Sequence, residues 1–170
     1  MLNSKIKELE KIIEEYQNQL FSFAFFRVGS YQIAQDIVQD VFLKFFTNEK
    51  KLLSIENIKT YLFKSISNAC IDYKRKYSKL KFTTVDFVTD TVTDDSEEEK
   101  CVAEFFRIEN LLVDLPDEQA EVIRLKFVDE LNFVEIAEIT NLSVNTIKSR
   151  YRYAIDKLKH TDNIKGNYYE

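Results

Sequence analysis

Phe133-Val-Glu-Ile-Ala-Glu-Ile-Thr-Asn-Leu-Ser-Val-Asn-Thr-Ile-Lys-Ser-Arg150 is the stretch that decides the fold. Its spacing fits two short helices meeting at a tight turn. In a helix-turn-helix the second helix crosses close above the first, so the first needs a small residue there; Ala137 occupies that place. A tight turn must come about four residues later. Asn141 can make it, because asparagine tolerates the left-handed conformation. Leu142 and Ile147 supply apolar positions after the turn and one turn into the second helix, and Ser143 is a natural N-cap. Asn145, Thr146, Lys148, Ser149, Arg150 and Arg152 are then polar and mostly outward. Such side chains suit phosphates and base edges in a major groove. An ordinary helical hairpin with a basic outer face accounts for any one of these features. The small residue, turn, cap and apolar positions falling into place together favour DNA binding.

The surrounding pattern is helical too. Phe105, Ile108, Leu111 and Leu112 lead to Pro116, which ends one helix and can begin the next. Ala120, Ile123, Leu125 and Phe127 mark that next helix, and residues 129–132 read as a turn. The two short helices then run Phe133–Thr140 and Val144–Lys159. Residues 161–170 read as a frayed tail. At the other end, three helices are predicted. Ile6, Leu9, Ile12, Ile13, Tyr16, Leu20, Ala24 and Val28 recur at helical spacing, and Gly29-Ser30 interrupts them. Ile33, Ala34, Ile37, Val38, Val41, Phe42, Phe45 and Phe46 form the second stripe. Leu62, Ile66, Ala69, Cys70 and Tyr73 form the inner face of a third helix, from about residue 60 to 79. Residues 81–103 are acidic and Thr-rich, with no sustained helical period. The expectation is an all-α chain of two small helical domains, 1–80 and 104–160, joined by an acidic linker at 81–103.

Composition agrees. Of 170 residues only 2 are Gly and 1 is Pro, too few for a turn-rich β fold. No apolar run approaches the roughly 20 residues of a membrane-spanning helix, and the start has no signal-peptide core. A cytoplasmic protein is expected. Cys70 and Cys101 are too few for a disulfide framework. A single histidine, His160, with no cysteine cluster gives no zinc site. No phosphate-cradling glycine loop and no catalytic constellation are present, so neither an enzyme nor a cofactor is expected. The net charge of −5 at first argues against nucleic acid, but its distribution does not. From Lys59 to Lys81 there are seven basic residues and one acid; from Thr146 to His160 there are five and one. DNA binding needs local positive charge at the phosphates, whatever the total.

These residues carry a family resemblance. The segment from Leu115 through Glu135-Ile-Ala137 and Ser143-Val-Asn-Thr-Ile-Lys-Ser-Arg150 to Leu158 resembles region 4 of bacterial sigma factors. Asp36-Ile-Val-Gln-Asp-Val-Phe-Leu-Lys-Phe-Phe46 and Tyr61-Leu-Phe-Lys-Ser-Ile-Ser-Asn-Ala-Cys-Ile-Asp-Tyr-Lys-Arg75 are similar to the two helices of region 2. Two domains and a short linker describe the extracytoplasmic-function (ECF) group of the sigma-70 family. The resemblance spans about residues 16–158. Tyr61 stands where the family usually has Trp, and Glu130 and Asn141 where Gly is common.

The resemblance implies a set of roles. The chain would bind core RNA polymerase and direct it to a two-part promoter. Asn145, Thr146, Lys148, Ser149, Arg150 and Arg152 would read the −35 element. Tyr61, Lys64, Asn68, Lys74, Arg75 and Lys76, with the loop before their helix, would hold the opened −10 element. Asp36, Gln39, Asp40 and Lys44 would grip the polymerase. An anti-sigma protein is a further partner that the family makes plausible. Taken singly, Tyr61, Phe63 and Tyr73 read more simply as core, and Asp36 and Asp40 as surface charge. Two other functions fit the residues: an operator-binding regulator whose first 80 residues dimerise or sense, and a scaffold of two helical bundles. The paired motifs at 36–46 and 61–75 count against the regulator, because a dimerisation module has no reason to carry them.

Overall fold

The computed structural model describes residues 2–47, 55–78 and 96–166, and among these it shows seven helices and no strand. The chain divides into two compact units, Met1–Asp94 and Asp95–Glu170.

The first unit contains α1 (Leu2–Val28), α2 (Tyr31–Thr47) and α3 (Ile58–Ser78). Gly29 separates α1 from α2 at φ 67°, a value that costs a residue without a Cβ almost nothing. Its N–H donates to the Phe25 carbonyl at 2.8 Å and closes α1. Asn57 opens α3, its side-chain oxygen accepting from the Thr60 N–H at 3.0 Å. Apolar residues recurring every three or four positions give each helix one buried stripe. Leu20, Phe23 and Ala24 of α1, Val38, Val41, Phe42 and Phe45 of α2, and Leu62, Phe63, Ile66 and Cys70 of α3 are all buried. The Phe23 and Phe63 rings meet edge to face at 4.9 Å. Truncating a buried ring of this kind costs about 3–5 kcal/mol.

The second unit contains α4 (Ser96–Leu112), α5 (Asp117–Phe127), α6 (Phe133–Thr140) and α7 (Val144–Gly166). Leu112, Leu115, Ala120, Ile123 and Ala154 form one buried cluster, with Ile108, Tyr151, Ile155 and Leu158 packed on it. Pro116 sits at φ −57° immediately before α5, where a missing N–H loses nothing.

The architecture is the expected one, with differences at the edges. α4 already begins at Ser96, inside the stretch read as linker; residues 79–95, which hold the rest of it, lie outside the described residues. The acidic run Glu97-Glu98-Glu99 looks like a solvated linker in sequence. Placed in the first turn of a helix, the same charges favour the helix dipole. α7 runs on to Gly166 rather than stopping at Lys159, and residues 167–170 of the expected tail are not described. Leu111 and Phe127, part of the apolar pattern that marks these helices, are about 60% exposed (60% and 59%), whereas Val122 is buried.

Candidate nucleic-acid interface

The helix-turn-helix is built by local caps. At the start of α6, the Asn132 side-chain oxygen accepts from the Val134 N–H at 2.9 Å and the Glu135 N–H at 3.0 Å. Glu135 returns the contact, its carboxylate accepting from the Asn132 N–H at 2.8 Å. This reciprocal capping box satisfies donors that a helix start otherwise leaves open. Asn132 falls in the predicted turn 129–132, and its spacing of three from Glu135 is the sequence signal of this cap. α6 ends at Asn141, which takes the left-handed conformation (φ 57°, ψ 34°) expected of the tight turn. Its N–H and that of Leu142 both donate to the Ala137 carbonyl. Ser143 then caps α7, its hydroxyl accepting from the Thr146 N–H at 3.0 Å. Ala137 and Ile147 are buried, as the crossing of α7 over α6 requires.

α7 turns Ile147, Tyr151 and Ala154 inward. The Tyr151 ring lies 5.2 Å from Phe133 and 6.1 Å from Phe127, fixing α7 against α5 and α6. Asn145, Lys148 and Arg152 are exposed on the outer side. The Arg152 guanidinium lies 5.3 Å over the ring of Tyr153, itself 57% exposed. Ser149 is half-buried. Thr146 and Arg150 are not simply outward. The Thr146 hydroxyl lies 2.8 Å from that of Ser143 as part of the cap. Arg150 Nη2 is 2.6 Å from Glu118 Oε2, on α5.

In the first unit, the spacing 61, 64, 68, 72, 75 lays Tyr61, Lys64, Asn68, Asp72 and Arg75 along one row of α3. Arg75 donates to Asp72 at 2.8 Å within that row. Lys76 lies on its flank. Lys74 points elsewhere, one helical turn from Cys70, whose thiol feels its charge. Tyr61 is half-buried, its ring 5.7 Å from Phe45 of α2. Tyr61 thus packs against α2 and also lines a cleft. That cleft encloses about 500 Å³ between Val41, Lys44 and Thr47 of α2 and Tyr61, Ser65, Asn68, Ala69 and Asp72 of α3.

Asp36, Gln39, Asp40 and Lys44 are all exposed on α2, and Lys44 lies 3.8 Å from Asp40. The structure thus gathers three of the four on one solvent face and sets Lys44 at its border with the cleft. Leu43 stands among them at 63% exposure, an apolar side chain in an otherwise polar face. It falls outside the buried stripe that helical spacing predicts for α2, but that spacing does not mark it as a docking side chain.

Among the described residues no group of His, Cys, Asp or Glu is arranged to hold a metal ion, and no helix is long and apolar enough to cross a membrane.

Residues 12–80 match Sigma-70 region 2, and residues 111–160 match Sigma-70, region 4. The ECF RNA polymerase sigma factor SigW of Bacillus subtilis (strain 168) is 26% identical over 178 residues, covering 94% of this chain and 95% of the relative. RNA polymerase sigma factor SigV of the same organism is 27% identical, with 86% of each chain covered. Among solved structures, the sigma factor RpoE in its co-crystal structure with the anti-sigma factor NepR from Bartonella quintana shares the fold. The TM-score is 0.61 at 21% identity, over 91% of this chain and 96% of that one.

Proposed function

We propose that this chain, which belongs to the ECF group of the sigma-70 family of RNA polymerase sigma factors, divides promoter recognition between its two units along the faces described above. As a sigma factor it binds core RNA polymerase and directs promoter recognition and transcription initiation.

In the second unit, α7 enters the major groove at the −35 element. Asn145, Ser149 and Arg152 face base edges, Arg150 reaches towards them from the flank nearest α5, and Lys148 meets the backbone. Thr146 serves the cap and the edge of this surface. In the first unit, the row Tyr61, Lys64, Asn68 and Arg75, with Lys76 beside it, holds the opened −10 strand over the cleft. The exposed face of the Tyr61 ring offers a stacking surface to an unpaired base. Lys74 contributes charge from a different side of α3. Asp36, Gln39 and Asp40 grip the polymerase around Leu43, whose exposed apolar side chain suits the dry centre of such an interface. Lys44, between the two faces, adjoins both partners.

The chain performs no chemistry of its own in this scheme; the polymerase does. It acts in the cytoplasm, where polymerase and chromosome meet. An anti-sigma protein that covers the α2 face is a further proposed partner.

One observation carries the reading. A capped helix-turn-helix with a basic outer face shares its chain with a separate unit exposing an acidic α2 face and a basic α3 row. A regulator that binds operators alone has no use for the second feature. The test is co-elution of the purified chain with bacterial core RNA polymerase on a sizing column, against Asp40→Arg and Leu43→Arg variants. Co-elution of the wild type, lost in both variants, is expected. A chain that elutes alone while an established sigma factor binds the same core would overturn the scheme.

A further inference from the structure

Glu118 and Arg150 are 32 positions apart, yet their side chains meet at the edge of the recognition helix. Arg150 Nη2 lies 2.6 Å from Glu118 Oε2; the arginine side chain is 27% exposed and the glutamate 69%. Glu118 stands in the first turn of α5, where the helix dipole favours its charge. A guanidinium has five N–H donors in a rigid planar fork. The contact with Glu118 engages Nη2, and the fork carries further donors.

An ion pair this exposed contributes little to stability. Its consequence lies in orientation. An unrestrained arginine on a groove-facing helix can follow the nearest phosphate on any sequence. One held by a carboxylate must leave it to do so, and it loses less freedom when a correctly placed base edge arrives. The carboxylate also sets a negative charge beside the DNA-facing helix, which disfavours indiscriminate phosphate contacts.

We propose that Glu118 is a specificity-determining positioning residue, holding the Arg150 guanidinium so that its remaining donors read one base-pair position of the −35 element. The inference rests on α7 being the −35 recognition helix.

The experiment uses holoenzyme assembled from bacterial core polymerase and the full chain. It selects bound duplexes from a pool randomised across the −35 segment, and sequencing reads the base preference at each position. Wild type, Glu118→Gln, Arg150→Ala and the double variant are compared. Glu118→Gln preserves size and removes the charge, and thermal unfolding checks that all four chains are folded. Arg150→Ala is expected to flatten preference by about fivefold or more, the scale of a base-specific arginine contact, at one position. Glu118→Gln is expected to flatten the same position and no other, and the double variant to match Arg150→Ala. If Glu118→Gln keeps wild-type preference where Arg150→Ala loses it, Glu118 has no positioning role while the reading of α7 stands. If Arg150→Ala changes no position, Arg150 does not read bases and the inference falls with it. If the wild type itself selects no −35 sequence, the reading of α7 is what fails.

Discussion

Asn132 and Glu135 cap each other at the start of α6. The Asn132 side chain accepts from the Glu135 N–H at 3.0 Å, and the Glu135 carboxylate accepts from the Asn132 N–H at 2.8 Å. The pair sets where the first helix of the helix-turn-helix begins, and so where Ala137 comes to lie under α7. Asn132→Ala removes the acceptor for two backbone donors. It is expected to lower stability by about 1 kcal/mol. Asn132→Ser, which keeps a capping oxygen, should recover most of that loss. Chemical denaturation of the full chain, followed by circular dichroism, measures both.

Glu130 and Asn141 bracket α6 in the left-handed conformation, at φ 54° and 57°. A side chain with a Cβ is strained there by about 1–2 kcal/mol, and asparagine less than most. Glu130→Gly is therefore expected to raise stability by up to about 1 kcal/mol. Asn141→Gly should change it little, and Asn141→Ala should lower it. Unfolding midpoints for the three variants give the ranking. A Glu130→Gly protein less stable than the wild type would show that contacts of the glutamate side chain outweigh the strain.

These two turns also show what was legible in the chain and what was not. Ala137, Asn141, Ser143 and Ile147 each need a particular size, backbone conformation or hydroxyl at a fixed offset, and local chemistry of that kind is written in sequence order. Each stands as expected: buried, left-handed, capping and buried. The stripes of α2 and α3 were equally readable, because burial on a helix repeats every three or four residues. Contacts between elements leave no such trace. Nothing local to Arg150 announces Glu118, and although Leu43 falls outside the predicted stripe of α2, nothing local to it says what it meets. Lys74 joined Arg75 and Lys76 as a basic run in sequence, but a helix turns each residue by about 100° and so separates the three around its axis. The start of α4 was hidden because glutamates read the same in a linker and in a helix's first turn.

Arg124 binds two helices together. Its Nε lies 2.9 Å from Glu109 of α4 and its Nη1 3.3 Å from Glu121 of α5, with only 18% of its side chain exposed. Both carboxylates are about one-third exposed, so solvent weakens the attraction. Arg124→Ala is expected to cost about 1–2 kcal/mol. Arg124→Lys should restore less than half of it, because one ammonium cannot copy the two-sided fork. Denaturation midpoints decide this, and full rescue by lysine would mean that charge alone matters.

Cys70 makes stability depend on alkaline pH. Burial pushes its thiol up from 9.0 to about 11, against the pull of the positive charges on Arg27 and Lys74. The folded chain therefore keeps this proton at a pH where the unfolded chain has lost it. The contribution is complete below pH 9 and is lost as pH rises from 9.0 towards about 11. Two pH units correspond to about 2–3 kcal/mol at most. Lysines and tyrosines titrate in the same window, so the measurement is the stability gap between wild type and Cys70→Ala. That gap should shrink by about 2 kcal/mol between pH 8 and pH 11. A gap that stays constant would mean that the thiol ionises without leaving its site.

If α7 docks as proposed, Lys148 is the residue that separates phosphate binding from base reading. It is exposed on the flank of the helix beyond Asn145, and a lysine ammonium meets a phosphate as a point charge, without the planar fork that reads guanine. Removing one phosphate contact releases about one fewer counterion on binding. Lys148→Ala holoenzyme is therefore expected to bind a −35 duplex more weakly, with the slope of log affinity against log salt reduced by about 1. Its preference at each base position should match the wild type, because a backbone contact is blind to sequence. Titrations at several salt concentrations, together with selection from a randomised −35 pool, measure the two effects independently. An unchanged slope with altered base preference would move Lys148 from the backbone to a base edge. A loss of both would mean that the substitution has displaced α7 itself, which the Ser143 cap and the buried Ile147 are expected to prevent.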